Sequence, residues 1–117
     1  YDVLIPALLE HGLWELPQHC HFMPSVPIKP MLAKPTTGVG EVLEKFSDVE
    51  FTCEYKYDGE RAQVHVMDGG KKVMIFSRNS ENMTSKYPDI VARLPALLAP
   101  GTTSAVFDGE AVAWDPE

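Results

Sequence analysis

Phe51-Thr-Cys-Glu-Tyr-Lys-Tyr-Asp-Gly-Glu-Arg-Ala-Gln63 is the stretch on which the reading of this chain turns. Its side chains alternate in character with a period of two, which predicts a β-strand over 51–58. Phe51, Cys53, Tyr55 and Tyr57 would then share an apolar face suited to a core. Thr52, Glu54, Lys56 and Asp58 would share the other, and Gly59 lets the backbone turn before Arg61. One strand face would thus hold an amine between two carboxylates. The same alternation also describes the ordinary solvated side of a half-buried antiparallel strand, and periodicity alone leaves both readings open.

Working outward, Arg61 to Met67 alternates again, with Ala62, Val64 and Val66 expected inward. Asp68-Gly69-Gly70 is a hairpin signal, and Lys72 to Ser77 is the expected returning strand. A polar loop, Ser77-Arg78-Asn79-Ser80-Glu81-Asn82, follows. The next helix should start near Pro88, present Ile90, Val91 and Leu94 on one side, and be disturbed at Pro95. Pro100-Gly101 marks a turn. Ser104 to Trp114 places two apolar runs around Asp108-Gly109-Glu110. A glutamate embedded in an apolar strand costs free energy unless it is paired, hydrogen-bonded or metal-bound. A sheet-edge glutamate paired with Lys or Arg is the plainer alternative.

Upstream, Val39, Val42, Leu43 and Phe46 repeat at helical spacing and predict a short amphipathic helix over about 38–47, placed to cover a sheet. Prolines at 17, 24, 27, 30 and 35 forbid a continuous helix and predict an extended connector from Leu13 to Pro35, with Trp14 an anchor to a neighbouring element. Residues 1–12 suit the last turns of a helix stopped by Gly12. The whole reads as α+β, an antiparallel sheet with flanking helices.

The chain has 117 residues, 44% of them hydrophobic and 23% charged, which suits one soluble globular domain. It contains no apolar run long enough for a membrane span. Its start, Tyr1-Asp2-Val3-Leu4, lacks the features of a signal peptide and reads as the interior of a longer polypeptide. Two cysteines do not make a disulfide framework, so a reducing compartment is expected. His19, Cys20 and His21 are adjacent, and successive residues rarely converge on one metal. A net charge of −7, with ten Lys and Arg spread over the chain, argues against this piece being a major nucleic-acid-binding surface on its own.

Glu54-Tyr55-Lys56-Tyr57-Asp58-Gly59-Glu60-Arg61 resembles the Lys-x-Asp-Gly-x-Arg signature of the ATP-dependent DNA ligases, in its eukaryotic replicative form. Val26-Pro27-Ile28-Lys29-Pro30-Met31-Leu32-Ala33 resembles the segment that opens their adenylation domain. Ser77-Arg78-Asn79 and Asp108-Gly109-Glu110 resemble two later family motifs, in family order. The resemblance implies a nucleotidyltransferase (adenylation) domain begun over 26–117, with 1–25 the tail and linker of a preceding DNA-binding domain. It implies Lys56 as the nucleophile that takes AMP from ATP and Asp58 as a group orienting the reaction. Glu54 would lie at the adenine end, Arg61 and Arg78 would contact nucleotide or nick phosphate, and Glu110 would bind the ribose or a Mg²⁺ ion. It further implies nicked duplex DNA as substrate, nuclear work in replication, repair and recombination, a monomer, and recruitment by a sliding clamp through segments outside these 117 residues. The family's later motifs also lie outside them, so the isolated chain is expected not to seal DNA. RNA ligases, capping guanylyltransferases and a non-catalytic nucleotide-binding domain are the alternatives.

A free lysine amine titrates near 10.4, so near neutral pH fewer than about one in a thousand is unprotonated. Nucleophilic attack by Lys56 therefore needs a proton acceptor or nearby positive charge, such as Mg²⁺ or Arg61. Asp58 and Glu54 would act in the opposite sense unless a cation or the nucleotide engages them.

Overall fold

The computed structural model describes residues 3–115. Three antiparallel strands form its centre: β1 (Glu60–Met67), β2 (Lys72–Phe76) and β3 (Ala105–Ala111), in the order β2-β1-β3. The β1–β2 hairpin closes through Asp68-Gly69-Gly70 and pairs Met67 with Lys72 and Gln63 with Phe76. On the other side of β1, Glu60 faces Ala111, Arg61 faces Glu110 and Val66 faces Ala105. Among the described residues the α-helices are α1 (Leu4–His11), α2 (Leu16–His19), α3 (Val39–Lys45) and α4 (Pro88–Arg93). The α+β expectation agrees with this content.

Directly opposed residues share a sheet face, so the register sorts the core. Ala62, Val64 and Val66 point one way with Val73 and Ile75, as expected from their alternation. Ala62, Val73 and Ile75 pack with Met83, and Tyr87, Ile90, Val91 and Leu94 lie against them. Helix α4 supplies that cover because Pro88 fits its first turn and Pro95 shifts the following turn, Leu94–Leu97, to a tighter helix.

The opposite face carries Gln63, His65 and Phe76, and all three are buried. An apolar/polar alternation would leave Gln63 and His65 in water. They are buried because residues 22–28 are tied across them. Ser25 N–H donates to His65 Nδ1 (3.0 Å), and Ile28 N–H donates to Gln63 Oε1 (2.8 Å). Gln63 Nε2 in turn donates to the Ile28 carbonyl (3.0 Å). With Nδ1 accepting, His65 must carry its proton on Nε2, which lies 2.8 Å from Gln63 Oε1. Phe22 and Phe76 flank the imidazole, at ring-centroid distances of 5.8 and 5.0 Å.

Four expectations are corrected. Residues 51–58 are not a strand: no ladder pairing reaches them among the described residues, and Phe51, Tyr55 and Tyr57 are exposed. A strand is held by its ladder, and alternation without a partner chain alongside does not make one. The connector is not extended from Leu13, since a 3₁₀ turn (Leu13–Glu15) and α2 occupy its first part. Pro17 interrupts a long helix yet fits the first turn of a short one. Trp14 is 90% exposed and anchors nothing among the described residues. Helix α3 forms where its periodicity places it but buries none of its residues, its apolar stripe facing outward.

Candidate functional site

The end of the sheet's second face, beyond the tied connector, opens into a cleft of about 630 Å³. Four separate parts of the chain meet there, Leu32 and Ala33 from the connector and three that carry its charged groups. Lys56, Asp58 and Arg61 come from the quoted stretch and the start of β1, Arg78 from the loop after β2, and Glu110 from β3. Five of the six residues singled out by sequence thus line one cavity. Glu54 does not line it and is exposed.

Gly59 makes this meeting possible. A Cβ built there would lie 2.3 Å from the Ala111 carbonyl oxygen, closer than any side chain could stand. Only glycine lets the quoted stretch run this close to β3. The Gly59 N–H also donates to Glu110 Oε1 (3.2 Å), so the backbone beside Lys56 is held by the β3 glutamate. Glu110 is exposed on an edge strand rather than embedded in an apolar one, which corrects the desolvation argument made from its neighbours. β3 pairs only with β1 among the described residues.

Arg61 and Asp108 sit on the same face, one register step apart. Arg61 Nε donates to Asp108 Oδ1 (2.9 Å) and Nη2 to Oδ2, a two-pronged arrangement that fixes the guanidinium plane. The guanidinium holds the Asp108 carboxyl below the usual carboxylate range, and Asp108 raises the Arg61 value in return. Sequence reasoning passed over Asp108. The signal was present: Asp108 and Glu110, two apart in a strand, must face the same way.

Arg78 rides a loop built by Ser77. The Ser77 Oγ accepts from the backbone N–H of Asn79 and of Glu81, both at 3.2 Å, and Ser77 N–H donates to the Glu81 carbonyl (2.9 Å). Glu60, at the start of β1, accepts from the Tyr87 hydroxyl (2.7 Å) and lies 3.5 Å from Lys86 Nζ. The Tyr87 hydrogen bond, aided by Lys86, lowers the Glu60 carboxyl from its ordinary value. Lys56 Nζ touches the Tyr57 carbonyl at 3.4 Å and is exposed to the cleft's solvent.

The charged lining is Lys56, Arg61 and Arg78 against Asp58, Glu60, Glu81 and Glu110. With the Glu60 carboxylate engaged by Tyr87 and Lys86, the remaining carboxylates and cationic groups balance, so a polyanion gains no net attraction and would enter most readily with a cation of its own. The carboxylate oxygens of Asp58 and Glu110 are hard donors of the kind Mg²⁺ takes. One oxygen of Glu110 is occupied by the Gly59 N–H, which leaves the other available. The donor chemistry therefore fits.

The family described as ATP dependent DNA ligase domain matches residues 30–117. DNA ligase 1 of Arabidopsis thaliana is 56% identical over 117 residues, all of this chain and 15% of that protein. DNA ligase 1 of Drosophila melanogaster is 53% identical over 117 residues, again all of this chain and 16% of that protein. DNA ligase 1 of Saccharomyces cerevisiae is 48% identical over the same full length, 15% of that protein. The chain thus spans about 15% of the length of the curated relatives it matches. With a domain match over most of its length and relatives at this identity, the chain belongs to the ATP-dependent DNA ligase domain family.

Proposed function

We propose that the cleft is the adenylation site of a DNA-sealing enzyme, with Lys56 the nucleophile toward ATP. The observation that carries this reading is the convergence of Lys56, Asp58, Arg61, Arg78 and Glu110 on one cavity from three distant parts of the chain. ATP is consumed as a substrate. The unprotonated Lys56 amine attacks the α-phosphorus, a phosphorus–nitrogen bond forms, pyrophosphate departs with the broken phosphoanhydride's electron pair, and the nitrogen gives up one proton to solvent. AMP then passes to the 5′-phosphate of nicked duplex DNA, and the 3′-hydroxyl displaces it to close the strand.

The chain's own groups have distinct tasks in this scheme. Asp58, two residues from Lys56, orients the reacting amine. Arg61, held flat by Asp108, keeps three of its five N–H groups for phosphate oxygens. Arg78 offers a second guanidinium from the Ser77 loop. Catalysis of such transfers rests on positioning and on neutralising phosphate charge. Asp58 and Glu110 would hold Mg²⁺, which supplies that neutralisation when bound. Glu110 is alternatively a partner for the ribose, and Glu54, by the family pattern, would lie at the adenine end of the nucleotide.

Residues 26–117 would form the first part of the nucleotidyltransferase domain, and 1–25 the tail of a DNA-binding domain before it. On the eukaryotic replicative pattern the whole protein works as a monomer in the nucleus, in replication, repair and recombination, with a sliding clamp as its recruiting partner. Incubation of the full-length protein with α-labelled ATP and Mg²⁺, followed by denaturing electrophoresis, tests the central claim. Covalent label is expected that Lys56→Ala abolishes and that chases onto nicked DNA. Folded protein that binds ATP but acquires no label would make this a non-catalytic nucleotide-binding domain. Labelling from GTP in preference to ATP would point to capping chemistry instead.

A further inference from the structure

Outside the cleft, α1 and α2 bring together three side chains that do not line it and that the reaction does not use. Gly12, at φ 77°, ends α1 immediately after His11. The 3₁₀ turn and α2 then carry the chain back alongside, and the His19 ring stacks on the His11 ring with centroids 3.7 Å apart and planes 12° apart. Glu15 lies one helical turn before His19, its Oε2 3.9 Å from His19 Nε2. One donor atom from each of His11, Glu15 and His19 falls within 4.8 Å of the other two. Glu10 stands beside the same pair, its Oε2 3.8 Å from His11 Nε2.

We propose that His11, Glu15 and His19 form a binding site for a borderline transition-metal ion, Zn²⁺ fitting best, that fastens α1 to α2. Tetrahedral zinc with bonds of about 2.0–2.1 Å spaces its donors roughly 3.4 Å apart. Reaching that spacing from 4.8 Å requires the stacked imidazoles to turn so that their ring nitrogens converge, and these side chains are 30%, 58% and 39% exposed, so they have room to turn. Two imidazoles and a carboxylate make a three-ligand set that leaves a fourth position for water. Imidazole donors select Zn²⁺, Co²⁺, Ni²⁺ or Cu²⁺ over Mg²⁺, so this site is chemically separate from the carboxylate-lined cleft. Each histidine also lies in the last turn of its helix, where the backbone's partial negative charge favours a cation. The adjacency of His19, Cys20 and His21 does not reveal this set; folding pairs His19 with residues four and eight positions earlier. A metal here would steady the chain just before the segment tied at Ser25 and Ile28.

The test is titration of the full-length protein with Co²⁺, followed by absorption, and with Zn²⁺, followed by calorimetry. His11→Gln, Glu15→Gln and His19→Gln are compared with the wild type, and circular dichroism checks that each remains folded. The wild type is expected to take up one Co²⁺ with a tetrahedral spectrum, displaced by Zn²⁺ and not by excess Mg²⁺. Either histidine variant should lose that equivalent, and Glu15→Gln should weaken it about tenfold or more. An unchanged number of bound Co²⁺ ions in both histidine variants, or no uptake by the wild type, overturns the proposal.

Discussion

Arg61 serves the cleft through Asp108. A guanidinium beside both Asp108 and Glu110 could pair with either, and the two-pronged contact with Asp108 selects one of them. The pair is partly exposed, 30% and 45% by side chain, so solvent screens it and its direct worth to stability is small. Its value lies in aim. Asp108→Asn keeps the shape of the side chain and removes the charge that holds the fork. The expected result is a nearly unchanged melting temperature with label transfer to Lys56 slowed by up to roughly a hundredfold, the scale of an ångström-sized misplacement. Comparing single-turnover labelling with thermal melts separates the two effects. The pH dependence has a defined sign. Asp108's carboxyl is held low by Arg61 in the folded chain, so the pairing contributes fully above the ordinary carboxylate range near about 4 and is lost as pH falls through the lower folded value. Asp108→Asn should remove that part of the acid sensitivity.

At the scale of elements, β1 decides the architecture because it is covered on both faces. Ala62 and Val66 announce one face by hydrophobicity. Gln63 and His65 announce nothing, because burial of polar side chains depends on hydrogen-bond partners 35 and 40 residues away. This explains which parts of the fold were legible. The β1–β2 hairpin, the amphipathic α4 and the Gly12 stop rest on local rules and appear as expected. The strand over 51–58 needed a ladder that local alternation cannot supply, and the cover over Gln63 needed long-range partners. The site was legible in a different way. Lys56, Asp58, Arg61, Arg78 and Glu110 were visible through family motifs, whereas Asp108 became visible only when the β1–β3 register was known.

The tie between β1 and residues 25–28 makes its own prediction. Burial pushes the His65 imidazole below its ordinary value, and its Nδ1 must stay unprotonated to accept the Ser25 N–H. A histidine depressed in the folded state contributes stability present above the unfolded value, near about 6.5, and lost as pH falls below it. Denaturant unfolding of the full-length protein at pH 7.5 and 5.5 (values chosen to bracket about 6.5) should show the loss, and His65→Phe should flatten the pH dependence. Gln63→Leu strands the Ile28 N–H and carbonyl and should cost about 1–3 kcal/mol. Because Leu32 and Ala33 line the cleft four and five residues beyond Ile28, that variant should also raise the ATP concentration needed for half-maximal labelling.

At the scale of the whole molecule, the chain is far from a compact sphere. Its radius of gyration is 18.5 Å, against about 13–14 Å for a compact domain of similar length. The excess arises from segments that stand off the sheet: Trp14, Met31, Tyr55 and Trp114 are each more than 80% exposed, and α3 turns its apolar stripe outward. Fully buried large side chains are correspondingly few, namely Ile75, His65 and Val66 among the described residues. Folding must offset an ordering entropy of roughly 1–2 kcal/mol per residue, and a core of this size offsets it only around the sheet and α4. The 117-residue chain purified alone should therefore bind a hydrophobic dye strongly and elute ahead of a compact protein of 13.0 kDa. Its unfolding should be shallow, because the denaturant slope follows the surface newly exposed and much of that surface is exposed already. Its net charge of −7 opposes self-association, so the early elution should persist on dilution rather than report an oligomer. Amide hydrogen exchange should divide the chain in the same place, with slow exchange confined to β1, β2 and the backbone they engage and fast exchange over 29–58. Steep, cooperative unfolding without dye binding would mean that 51–58 and α3 find cover within these 117 residues, in an arrangement different from this one.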